Sequence, residues 1–162
     1  MAGADRGAFG ELYDAHANAL FGHALGLTRS REEAEDLVQE AFVKLAGLGP
    51  RLLGIRRPGA YLHRMMRMAF LDRQRHRVAA LEVPLDEARR VAAPGGADAE
   101  VMALESAMAR LSLEQREVVV LHVIEGLTFR EVAAQTGTSM WTVASRYRLG
   151  MSRLRSILGP GT

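Results

Sequence analysis

Residues 127–149 read LTFREVAAQTGTSMWTVASRYRL, and the organisation of the chain is best worked outward from them. Thr128 followed three residues later by Glu131 is a capping box, in which the hydroxyl accepts from the third amide while the carboxylate reaches back to the cap. The short helix it starts turns Phe129, Val132 and Ala133 to one side. Gly137 then stands where a left-handed residue ends a helix, and Ser139 suits the cap of the next one. On that second helix Val143, Tyr147, Gly150 and Leu154 share one face, at about 100° per residue. Trp141, Ser145, Arg148 and Ser152 share the other, flanked by Thr142, Arg146 and Arg153. Two helices joined by a glycine turn, the second with hydroxyls, guanidinium groups and an outward ring, make a helix-turn-helix suited to a DNA major groove. The alternatives are an inert helical hairpin and, for Trp141, packing on the preceding helix.

Upstream the pattern is also helical. Ser112 with Gln115 and Ser30 with Glu33 are two further capping boxes, and Pro58 suits a first helical position. Helices are expected near 8–27, 30–47, 58–78, 99–110, 112–125, 128–136 and 139–157, and no segment alternates like a strand. Residues 79–98 carry Pro84, Pro94, Gly95 and Gly96 without apolar periodicity, which reads as a linker with at most a helical turn near Asp86 to Val91. The expected architecture is all-α: two small helical domains, 1–78 and 99–158, joined by a flexible linker.

Composition excludes several classes. The chain has 162 residues, 48% hydrophobic and 25% charged, which fits a globular protein rather than a disordered one. No apolar run approaches the roughly 20 residues of a membrane span, so no membrane insertion is expected. The first thirty residues hold Asp5, Glu11 and Asp14 and no apolar leader core, pointing to a cytoplasmic protein. With no cysteine there is no disulfide, thiol chemistry or cysteine-ligated zinc. His16, His23, His63, His76 and His122 show no metal-ligand spacing, and no glycine-rich phosphate loop follows a strand. His16 and His23 are expected at the edge of the first helix. Neither an enzyme nor a metal or other cofactor is expected.

Net charge is only +2, but it is unevenly spread. Between Arg51 and Arg77 eight arginines face a single acid, Asp72. From Gly126 onward Arg130, Arg146, Arg148, Arg153 and Arg155 face Glu131 alone. The stretch 31–40 is instead acidic, through Glu32, Glu33, Glu35, Asp36 and Glu40. This pattern suggests two polyanion contacts and one protein contact, against the alternative of solvated helix faces. In the helix after Ser30, Ala34, Leu37, Val38, Ala41, Phe42 and Leu45 form the apolar stripe, leaving Asp36, Gln39, Glu40 and Val43 as either a solvated face, which the residues alone favour, or a docking surface for a basic helical partner. In the helix after Pro58, Leu62, Met66, Ala69 and Phe70 form the buried stripe. Arg64, Met68, Leu71 and Arg75 lie opposite, with Tyr61, Arg67 and Asp72 alongside. Cations around an exposed ring suit single-stranded nucleic acid, the guanidinium for phosphate and the ring for unstacked bases. The alternatives are a solvated basic face and a membrane-surface helix, the latter disfavoured by the lack of a bulky apolar outer stripe.

These pieces occur in a familiar order. ELYDAHANALFGHALGLTRSREEAEDLVQEAFVKLAG, Glu11 to Gly47, is similar to conserved region 2 of the extracytoplasmic-function sigma factors, with AEDLVQEAF its most specific string. RRPGAYLHRMMRMAFLDRQRHR, Arg56 to Arg77, resembles the rest of that region, and Leu111 to Leu158 resembles region 4. The resemblance implies that Asp36, Gln39, Glu40 and Val43 grip the β′ clamp helices of core RNA polymerase. It implies that Tyr61, Arg64, Arg67, Met68, Asp72, Arg75 and Arg77 bind and open the −10 element. Thr128, Arg130, Ser139, Trp141, Thr142, Ser145, Arg146, Arg148 and Arg153 would serve the −35 element, with the β flap as a second polymerase contact and an anti-sigma factor as a further partner. Three positions depart from the family: Met68 where asparagine is usual, Tyr61 where tryptophan is common, and Ala144 where a basic residue is frequent. Two other functions fit part of the pattern. A sigma mimic that titrates an anti-sigma factor should shed DNA-facing charge. A helix-turn-helix repressor leaves the acidic ridge unexplained.

Overall fold

The computed structural model describes residues 2–81 and 99–159, with no strand among them. The chain divides into two compact units, Met1–Ala88 and Arg89–Thr162.

In the first unit, α1 (Ala2–Thr28), α2 (Arg31–Ala46) and α3 (Pro58–Leu81) each pack on the other two. The expected stripe of α2 is buried at all six positions, from Ala34 to Leu45. It closes with Leu20, Leu27, Leu62, Met66 and Phe70 into one core. Burial of each such large side chain is worth about 1.5–3 kcal/mol. Phe42 also receives the rings of Tyr13, at 4.8 Å, and Phe9, at 6.0 Å, both from α1.

Several boundaries differ from the sequence expectation. α1 begins at Ala2 rather than near residue 8. A 3-10 turn, Gly49–Gly54, buries Leu52 between α2 and α3. α3 continues through Leu81, so residues 79–81 are helix and not linker. The rest of the expected linker, including the turn expected near Asp86 to Val91, lies outside the described residues. The capping box at Ser30 is only half formed. Its hydroxyl accepts from the Glu33 amide at 3.3 Å, but the Ser30 amide donates to Thr28 Oγ1 at 3.1 Å. Glu33 is drawn instead to Arg77 of α3, at 3.3 Å. Arg29, between α1 and α2, takes a left-handed φ of 54°, a conformation that costs most residues about 1–2 kcal/mol.

In the second unit α4 (Ala99–Ala109), α5 (Leu113–Val119), α6 (Phe129–Thr136) and α7 (Met140–Leu158) surround two small cores. Val118, Leu121, Val132, Ala133 and Val143 fill one, and Ala107, Leu111, Val119 and Leu154 the other. The capping boxes at Ser112 and Thr128 are both complete. The helix expected over 112–125 widens over Val120–Ile124 into a π turn, in which the Glu125 amide donates to the Val120 carbonyl at 3.0 Å. Such a turn makes room for an extra residue within a helix. Here it delivers His122 to the following loop, where Nδ1 donates to the Leu127 carbonyl at 2.7 Å.

Candidate nucleic-acid and polymerase interfaces

The helix-turn-helix is held from behind. Gly137 has φ 70°, and its amide and that of Thr138 both donate to the Ala133 carbonyl, at 2.9 and 3.1 Å. Behind this turn His122, Phe129 and Tyr147 form an aromatic triad with ring separations of 4.6, 4.8 and 5.4 Å. Val143, Gly150 and Leu154 are buried, and Tyr147 packs against the core from the edge. This fixes the rotation of α7, so its opposite face is left to solvent. Trp141 is 87% exposed, which excludes the alternative that it packs on α6. Arg148 and Ser152 are exposed with it, and Ser145 and Arg146 are half-buried.

Other expected DNA-facing groups have local duties. The Ser139 hydroxyl accepts from the Thr142 amide at 3.1 Å and pairs with the Thr142 hydroxyl at 3.0 Å, so both residues serve the cap. Thr128 caps α6, and its amide and hydroxyl hold the Glu131 carboxyl below the usual carboxylate range. Arg130 is exposed beside it. Arg153 is exposed, and its Nε donates to the Arg110 carbonyl, just past α4, at 3.0 Å.

In the first unit Tyr61, Arg64, Met68 and Arg75 lie on the outer side of α3, with Met68 66% and Tyr61 36% exposed. Arg67 and Leu71 are half-buried beside them. Much of the cationic charge on this helix is already engaged. Arg73 meets Glu40 at 2.5 Å, Arg77 meets Glu33, and Arg75 meets Asp72 one turn away. Arg77 therefore belongs to the α2–α3 junction rather than to the exposed set.

On α2, Asp36, Gln39 and Val43 are exposed, Val43 by 70%. Glu40 is not part of a free ridge. It is half-buried between Lys44, at 3.2 Å, and Arg73. Burial pushes its pKa up, but hydrogen bonds and charges from Lys44 and Arg73 outweigh this and hold it below the ordinary carboxylate value.

Sequence reasoning missed the buried histidines. His23 is fully buried rather than at a helix edge, and faces His63 across the core. It also missed Met140, exposed beside Trp141, and the buried Gln74, whose side-chain amide has no hydrogen-bond partner. Local periodicity carries no signal for the histidine pair. The i, i+4 spacing from Phe70 could have marked Gln74. Among the described residues no cluster of three or more His, Asp or Glu could hold a metal, and no helix is long and apolar enough to cross a membrane.

A three-helix unit with an outward basic helix and a second unit built on a helix-turn-helix define a two-part helical DNA-binding class. Residues 12–79 match the Sigma-70 region 2 family and residues 101–154 the Sigma-70, region 4 family. The chain is 34% identical over 164 residues to the ECF RNA polymerase sigma factor SigE of Mycolicibacterium smegmatis, covering 91% of this chain and 60% of that protein. It is 30% identical to SigM of Mycobacterium tuberculosis, covering 96% of this chain and 79% of the relative. It is 32% identical to the RNA polymerase sigma factor CarQ of Myxococcus xanthus, covering 94% and 90%. The sigma factor RpoE of Bartonella quintana, solved in complex with the anti-sigma factor NepR, has a similar fold, with TM-score 0.79, 23% identity and coverage of 95% and 98%. The chain belongs to the extracytoplasmic-function group of the sigma-70 family.

Proposed function

We propose that this chain binds core RNA polymerase and directs it to promoters in the cytoplasm, without catalytic chemistry of its own. The observation that carries the reading is the orientation of α7. Its apolar side is buried, and the side with Trp141, Ser145 and Arg148 is turned to solvent on a helix-turn-helix. In that motif the second helix enters the major groove, here to read the −35 element. Asp36, Gln39 and Val43 form the exposed ridge for the β′ clamp helices. Tyr61, Arg64 and Met68 receive the opened −10 strand. The β flap is the second polymerase contact. An anti-sigma factor is the regulatory partner, a reading supported by the complex of Bartonella quintana RpoE with NepR.

One observation favours a second reading, a sigma mimic that titrates an anti-sigma factor. Three arginines of α3 are paired with carboxylates of the same unit, so less charge faces outward than the sequence suggests. Transcription of genomic DNA fragments by core polymerase plus the purified chain separates the two readings. A reproducible start site supports promoter recognition. Tight core binding with no defined start rejects it in favour of the mimic.

A further inference from the structure

We propose that Trp141 and Ala144 form an apolar reading surface for thymine methyl groups, so that the −35 element used by this chain carries thymine where the first turns of α7 enter the groove. The inference rests on the promoter-binding function above and specifies its chemistry. Residues Met140 to Ala144, at the start of α7, carry no charge, and the arginines begin only at Arg146. The hydroxyl of Thr142 is turned to Ser139 in the helix cap, at 3.0 Å. Outward there remain the indole of Trp141, exposed Met140 and, one turn along, the small half-buried Ala144. In helix-turn-helix docking the N-terminal residues of the second helix contact the base edges. Here that end offers few side-chain hydrogen bonds, chiefly the indole N–H of Trp141, which can donate but not accept. The apolar feature a major groove presents is the C5-methyl of thymine, which pairs with alanine or aromatic side chains. The indole also has a large apolar surface to cover. Ser145 and Arg148, further along the same face, keep hydrogen-bonding readout for the neighbouring bases.

The probe is a promoter fragment on which the full chain with core polymerase gives a defined start. Each −35 thymine is replaced singly by deoxyuridine, which removes only the methyl. Wild type should bind about fourfold more weakly at one or two positions, the worth of one buried methyl-sized group. Trp141→Ala should bind the thymine duplex about as weakly and lose nothing more on the change to uracil, while Trp141→Phe should retain part of the sensitivity. A −35 element without thymine, uracil without effect at every position, or the same uracil effect in Trp141→Ala overturns the inference and leaves promoter recognition standing. Because the uracil series on wild type needs no variant, it decides even if Trp141→Ala fails to fold. Absence of any defined start overturns both.

Discussion

The imidazoles of His23 and His63 stack inside the first unit with ring centres 5.0 Å apart and Nδ1 to Nδ1 at 2.8 Å. One ring donates and the other accepts, an arrangement that needs at least one neutral ring. Burial first, then the charges of His23 and His16, push the His63 pKa down to about 3.

This predicts acid sensitivity. The unfolded chain takes up a proton near the ordinary histidine value of about 6.5, while the fold refuses it until about pH 3. The stabilisation is therefore complete above about pH 6.5 and is lost progressively as pH falls toward 3, by up to about tenfold in the folding equilibrium per pH unit. Denaturant titrations at pH 6.5, 5.8 and 5.0 should show this slope, and His63→Leu should flatten it whatever its effect on absolute stability. A variant with the wild-type slope would remove the pair as the cause.

The α2 ridge splits into two kinds of residue. Asp36 and Gln39 face solvent, so Asp36→Lys and Gln39→Lys should shift stability by about 0.5 kcal/mol or less while weakening core-polymerase binding in a titration. Glu40→Lys should behave differently, since it sets a third cation beside Arg73 and Lys44. It should cost about 1 kcal/mol of stability for a half-exposed pair after solvent screening, seen as a lower melting midpoint. Equal melting of the Glu40 and Asp36 variants would show that the Arg73 contact contributes nothing.

Local rules account for what could be foreseen. The α2 stripe, the caps at Ser112 and Thr128, the turn at Gly137 and the inward face of α7 each depend on residues within about three turns of one another. Their physics is contained in the spacing. The errors have another origin. Glu40 looked like a free ridge acid because Arg73 lies 33 positions away, and Glu33 looked like a box partner because Arg77 lies 44 away. Histidines 40 apart cannot be paired by a helical period. The solvent face of α7 is legible because its opposite face is the core, whereas the outward charge of α3 is overestimated because charge alone does not tell a paired arginine from a free one.

Gly150 makes a prediction about the recognition helix. A Cβ there would lie 3.3 Å from Val119 Cγ2 and 3.4 Å from Gln115 Cβ, so α7 crosses α5 at close range. Gly150→Leu should overpack this crossing and cost about 1–3 kcal/mol, read as an earlier denaturant midpoint of the second unit. In Gly150→Ala the gain in helix propensity, about 1 kcal/mol, opposes the squeeze, so the change should be much smaller. A leucine variant as stable as wild type would contradict the packing.

Tyr61 and Met68 lie seven residues apart on the outer face of α3, two turns of helix, with Arg64 between them. Both side chains present apolar surface to solvent, and neither is needed by the core. A thioether cannot hydrogen-bond a base edge strongly, but it packs well against a flat face or a sugar. Opening of the −10 element should therefore depend on stacking and phosphate contact, with loose base preference at one position. Stacking on a freed base is worth about 1–3 kcal/mol and exists only after the strands part. Tyr61→Ala should thus reduce permanganate reactivity of −10 thymines more than it reduces closed-complex binding. Met68→Asn should tighten the preference at that position, because a polar reader leaves mismatched groups unpaired. Normal opening by the Tyr61 variant, or strict preference at every −10 position in wild type, would show that this face of α3 does not receive the base.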